Sequence, residues 1–143
     1  MRFSGSAVAL VSCLLLFGCS DSSGPAPITG TYLLTSYNGQ PVPTGVSAGG
    51  CTQNILDGSF VLAGDHTWQA TLTVEMNCVG DTTTAVPITI RDHGSYQREA
   101  AGLHLWIATS PPEDLGLAAT DGKHLSLDLR PFYGALTEYQ RVP

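Results

Sequence analysis

"WQATLTVEM", Trp68 to Met76, alternates without a break: Trp68, Ala70, Leu72, Val74 and Met76 are apolar, and Gln69, Thr71, Thr73 and Glu75 are polar. A period of two sends successive side chains to opposite faces of an extended strand, so one face of this segment is buried and the other is wet. Antiparallel sheets have this habit. The pattern returns in "HLSLDLR", where Leu125, Leu127 and Leu129 alternate with Ser126, Asp128 and Arg130, and in "LHLWI", with Leu103, Leu105 and Ile107 opposite His104 and Trp106. "VPITI" alternates Val86, Ile88 and Ile90, and Pro87, which has no N–H for a ladder, marks an edge or a bulge. From Ile28 onward no window of useful length carries apolar residues at helical three-and-four spacing.

Turn chemistry falls between these runs. Asn38-Gly39, Gly64-Asp65, Asp121-Gly122 and the Ala101-Gly102 corner each stand where a hairpin would close, and Pro111-Pro112 marks a longer loop. If Gly64 and Asp65 are the two central residues of their turn, the hairpin register sets Cys51 opposite Cys78. Counted strictly, that pairing falls on a hydrogen-bonded position, less suited to a disulfide than the closer non-hydrogen-bonded one. A bulge at Asp57-Gly58 would change the parity. About eight or nine short strands joined by hairpins, with no helical crossover, point to an all-β fold, an antiparallel up-and-down barrel or a sandwich. With few charges to guard an edge and no helix to cover a sheet, closure into a barrel manages the edges best.

The chain opens differently. Arg2 precedes an almost wholly apolar run from Ala7 to Phe17, too short to span a bilayer but fitting the hydrophobic region of a secretory signal peptide. Leu16-Phe17-Gly18-Cys19 resembles the lipobox of bacterial lipoproteins, with Phe17 a departure from the usual small or branched residue. Leu10-Val11-Ser12-Cys13 matches locally as well, but cleavage there would leave Leu14 to Phe17 exposed. The resemblance implies a signal peptide over residues 1–18, a diacylglycerol thioether with further acylation on Cys19, and stable anchoring to a membrane of the cell envelope. An ordinary secreted protein, with Cys19 incidental, is the alternative. Ser20 to Pro27 reads as a flexible tether, and Ser20 after the cysteine resembles outer-membrane sorting.

Composition narrows the rest. Removal of residues 1–18 leaves 125 of the 143 residues, one domain's length, spanning a barrel over 28–143. The chain carries 6 basic and 12 acidic side chains and a net charge of −6, and Arg2 leaves with the leader. An acidic, charge-poor surface without a basic patch argues against nucleic acid as a partner. With Cys13 removed and Cys19 lipidated, Cys51 and Cys78 remain, and in an exported protein such a pair defaults to a disulfide. A two-cysteine metal site would need further ligands nearby, and none is evident.

Beyond these readings, "GTYLLTSYNGQPVP" from Gly30, "GSFVLAGDHTW" from Gly58, "DHGSYQREAAGLHLW" from Asp92 and the closing "LTEYQRVP" from Leu136 are similar to the lipocalin-like lipoproteins of bacteria, within the calycin group. The resemblance covers most of residues 28–143. It implies a lipocalin-like barrel and names no ligand.

Chemistry-bearing constellations are few. "GVSAG", Gly45 to Gly49, has the form of a hydrolase nucleophile elbow, yet lacks the helix that must follow, and reads as a flexible glycine loop. His66, His93, His104 and His124 form no close ligand pairs, so no metal or cofactor is expected. Asp92-His93 with Glu99, and Glu113-Asp114, read as solvated loop charges. Tyr32, Phe60, Trp68, Leu72, Met76 and Leu105 are the candidate ligand-binding residues, since apolar side chains projecting into a barrel either line a slot or fill it. Trp68 with Leu72 and Met76 reads as core, and Trp106 lies on the face opposite Leu105. Two functions remain: a non-enzymatic lipoprotein binding a small apolar ligand, or a solid barrel whose loops contact another envelope protein, as an inhibitor or interaction module. A filled interior is marginally favoured. An enzyme comes third.

Overall fold

The computed structural model of the chain describes residues 27–82, 84–129 and 134–143. The leader, Cys19 and the tether through residue 26 lie outside the described residues. The period-two segments become strands β1 (Gly30–Tyr37), β2 (Gln40–Pro41), β3 (Thr44–Ala48), β4 (Cys51–Leu62), β5 (Thr67–Cys78), β6 (Ile88–Glu99), β7 (Gly102–Ile107), β8 (Glu113–Thr120), β9 (His124–Asp128) and β10 (Leu136–Arg141). Among the described residues there is no helix. From β4 to β10 each strand pairs antiparallel with the next, β10 returns to β1, and β1 pairs with β4. The result is a closed, up-and-down, eight-stranded barrel, with β2 and β3 as extra strands beside β1 and β4. Closure leaves most ladder N–H and C=O groups paired.

The β4–β5 hairpin holds the cysteines in the expected register through two departures that offset each other. Its loop has three residues, Gly64, Asp65 and His66, not two: Ala63 N donates to Thr67 O at 2.9 Å, and His66 takes the left-handed conformation at φ 68°. A turn closed by one left-handed residue is the usual three-residue hairpin loop. The Asp65 carboxylate fixes it, accepting from Thr67 N at 3.1 Å and Thr67 Oγ1 at 2.6 Å. That extra residue is cancelled by a register shift between Ile55 and Asp57, just before the Asp57-Gly58 position expected for a bulge. Cys51 therefore faces Cys78, and the two are disulfide-bonded. Asn38-Gly39 is the two-residue turn its sequence announces, both residues at positive φ (50° and 76°). Asn38 also clamps the start of β10, its Oδ1 accepting from Leu136 N at 2.8 Å.

Strand lengths make the two ends of the tube unlike. At one end lie the start of β1 and the short β4–β5, β6–β7 and β8–β9 connections. The floor there is solid: Tyr32, Leu62, Leu103, Leu105 and Leu125 are at most 1% exposed. Each such side chain contributes roughly 1.5–3 kcal/mol by leaving water. Tyr32 donates its hydroxyl to Ile28 O at 2.6 Å, and Arg141 Nη1 donates to Pro27 O at 2.7 Å, so the incoming chain is pinned beneath the floor.

At the other end β4, β5 and β6, each 12 residues, outrun the shorter strands and overhang the rim. Met76 is the correction this imposes. It shares the inward face of Trp68 and Leu72, but the opposing wall has already ended, and it is 56% exposed instead of core. Ile88, on the same overhang, is exposed for the same reason. "GVSAG" is likewise no loop: Gly45 to Ala48 lie in β3, Ser47 Oγ sits 2.9 Å from Thr52 Oγ1, and a tight Gly49-Gly50 turn follows.

Candidate functional site

The barrel is packed below and open above, and the boundary is a layer of aromatic rings. Phe60 on β4 stacks on Trp68 of β5 at 5.1 Å and 17°, and meets Tyr139 of β10 edge-on at 5.8 Å. Trp68 lies over a strand position with no side chain. Its indole N–H reaches past Gly94 to Ser95 O at 3.0 Å and Trp106 O at 3.1 Å. A Cβ at Gly94 would stand 2.8 Å from that nitrogen, so the glycine makes room for the indole.

Above this layer is a cleft of about 280 Å³, lined by Tyr37, Leu72, Ile90, Leu129, Ala135 and Tyr139, with Gln53, Ala70, Thr71, Asp92 and Thr137 between them. Beneath it a smaller void of about 50 Å³ reaches down to Phe60, Trp68, Leu105 and Leu127, sharing Ala70, Asp92, Leu129 and Tyr139 with the cleft. Burial drives the Tyr139 hydroxyl up to about 12, partly offset by its hydrogen bond with Thr137, and burial also raises Tyr37. Both are neutral phenols at physiological pH, with apolar faces and one polar tip each.

Of the residues expected to bind a ligand, Leu72 lines the cleft, and Phe60, Trp68 and Leu105 line the void beneath it. Tyr32 is a floor residue whose hydroxyl is already engaged, and Met76 lies beyond the rim. Sequence reasoning missed Tyr37, Ile90, Leu129, Tyr139 and above all Asp92. Far from being a loop charge, Asp92 is on β6 opposite Ala70, two residues before buried Gly94 and four before buried Tyr96, so its side chain shares their inward face. The run Ile88, Ile90, Asp92, Gly94, Tyr96 carried the signal, masked by a carboxylate and a glycine in the alternation.

A larger open groove of about 650 Å³ lies over the outside of β5, β6 and β7. Its polar walls, Gln69, Arg91, His93 and Ser95, are solvent-facing side chains, and its floor is strand backbone. Also outside, His104 stacks on Trp106 at 4.3 Å and hydrogen-bonds two acidic neighbours whose carboxylates accept, Nε2 lying 2.8 Å from Asp114 Oδ1 and Nδ1 3.2 Å from Glu99 Oε1. The Asp114 hydrogen bond raises the His104 pKa, against the opposing effect of desolvation and with further help from Glu99. Among the described residues no group of three or more His, Cys, Asp or Glu is arranged to hold a metal ion.

The fold defines an all-β, closed, eight-stranded antiparallel barrel compatible with the calycin architecture. Its inner face is apolar and its outer face mostly polar, the reverse of a membrane-spanning barrel. In comparisons with known proteins no family model matches the chain, nor does any curated protein or solved structure.

Proposed function

We propose that this protein is a cell-envelope lipoprotein that holds a small, mainly apolar ligand in the mouth of its barrel and catalyses no reaction. The observation that carries the reading is the change along the tube, from a floor of fully buried side chains to an apolar cleft continuous with the core. A barrel built only to be solid would carry large side chains at Ala70 and Ala135, where the wall is instead thin. At about 280 Å³ the cleft lies just under the usual range of roughly 300–1,000 Å³ for ligand pockets, so it suits a small molecule or one end of a longer one.

The anchor fits this reading. The chain enters at Pro27 beneath the closed floor, so a lipid on Cys19 would tether the barrel from the end opposite its mouth. Two measurements test the proposal. Native mass spectrometry of the purified chain is expected to show a co-purifying small ligand that is lost on unfolding; a bare mass that also takes up no added apolar probe contradicts ligand binding. Cys19→Ser is expected to release the protein from membranes and abolish lipid labelling, and persistent labelling contradicts the anchor.

A further inference from the structure

We propose that the ligand pairs its apolar body with a positively charged group, an amine or a quaternary ammonium, and that Asp92 receives it. This rests on the reading of the cleft as a binding site and adds its chemical selectivity. Among the described residues Asp92 is the only charged side chain lining either the cleft or the void beneath it. Among the described residues no Lys, Arg or His shares those walls, and no ion pair includes Asp92. Its carboxylate stands half-buried beside Ala70, where solvent water reaches it.

A ligand filling the cleft must displace that water. A purely apolar ligand would leave a carboxylate stripped of partners, which is costly, and an anionic one would add repulsion. A cation replaces the lost water with a charge-assisted hydrogen bond. The remaining walls favour the same guest. Tyr37 and Tyr139 line the same cleft with neutral aromatic rings, and ring faces attract ammonium groups. The chain's net charge of −6 biases approach in the same direction.

Octylamine, octanol and octanoate share one apolar body and differ only in the head group, so competition against a neutral fluorescent probe, N-phenyl-1-naphthylamine, isolates the contribution of charge. In the purified chain octylamine is expected to bind about tenfold tighter than octanol, the low end for a charge-assisted hydrogen bond, with octanoate weakest. In the isosteric Asp92→Asn variant the preference for octylamine is expected to fall below twofold while octanol binds as before, which also reports an intact cleft. Equal binding of octylamine and octanol to the unaltered chain, or a preference that survives Asp92→Asn, overturns the inference and leaves the cleft as a binding site. Failure of the fluorescent probe itself to bind overturns both.

Discussion

Gly94→Ala is a one-methyl change whose cost follows from two close approaches. The new Cβ would collide with Trp106 O and lie 2.8 Å from Trp68 Nε1, both inside any real carbon contact. The nearer atom is backbone, in the strand that pairs Gly94 with Ile107, so no rotamer change relieves it. Either β6 and β7 part locally, losing a ladder hydrogen bond worth about 1 kcal/mol, or the indole is driven off Ser95 O, losing a similar amount. Overpacking the ring layer adds roughly 1–3 kcal/mol. The expected destabilisation is therefore about 2–4 kcal/mol, a large share of the roughly 5–15 kcal/mol that holds a typical domain. Urea unfolding followed by tryptophan fluorescence and circular dichroism measures it. Gly64→Ala is the control: nothing lies within 4 Å of its Cβ, so it is expected to fall within about 1 kcal/mol of the parent. In a Trp68→Phe background the cost of Gly94→Ala should remain above half, because the backbone clash outlasts the indole. A loss under 1 kcal/mol in the parent would refute the account of Trp68 seated on a bare strand position.

Two further perturbations address other parts of the molecule. Replacing Cys51 and Cys78 by alanine frees a crosslink of sequence separation 27 and is expected to cost up to roughly 3–4 kcal/mol in urea unfolding, less if the hairpin persists in the unfolded chain; uptake of the neutral probe should survive, since the bridge joins the far ends of β4 and β5, beyond the cleft. His104 has a raised folded pKa, so its contribution to stability is fully present below its unfolded value near 6.5 and is lost as pH rises through the higher folded value. The thermal midpoint of the parent should accordingly fall more steeply than that of His104→Asn just above pH 6.5, and the imidazole should titrate above 6.5 by NMR; parallel profiles contradict the pairing with Asp114 and Glu99.

The strands were legible because a half-buried antiparallel ribbon writes its two faces directly into the alternation of Trp68 to Met76 and Leu125 to Arg130. Period two reports which face a residue occupies and not how far the opposite wall extends. For that reason Leu72 and Met76 read alike, although only Leu72 has the barrel's other side across from it. Turn chemistry located the hairpins, but the third loop residue depended on His66 adopting a left-handed conformation that its side chain does not announce. The cysteine pairing emerged correctly because a bulge near Leu56 offset that extra residue. Asp92 was obscured by its own charge: a carboxylate in a run of inward residues looks like loop chemistry until the register with Ala70 fixes its direction. Tyr32 was readable as an inward aromatic, but the bond from its hydroxyl to Ile28, which commits it to the floor, is a tertiary fact.

The central claim, a tube filled at its base and receptive at its mouth, is tested most directly by methyl NMR of the purified chain during titration with N-phenyl-1-naphthylamine. The account predicts saturable shifts at Leu72, Ile90, Leu129 and Ala135 around the cleft, with Leu103 and Leu125 in the floor unmoved. Shifts confined to outward methyls such as Leu33 and Leu117, or no shifts at any concentration, would contradict it.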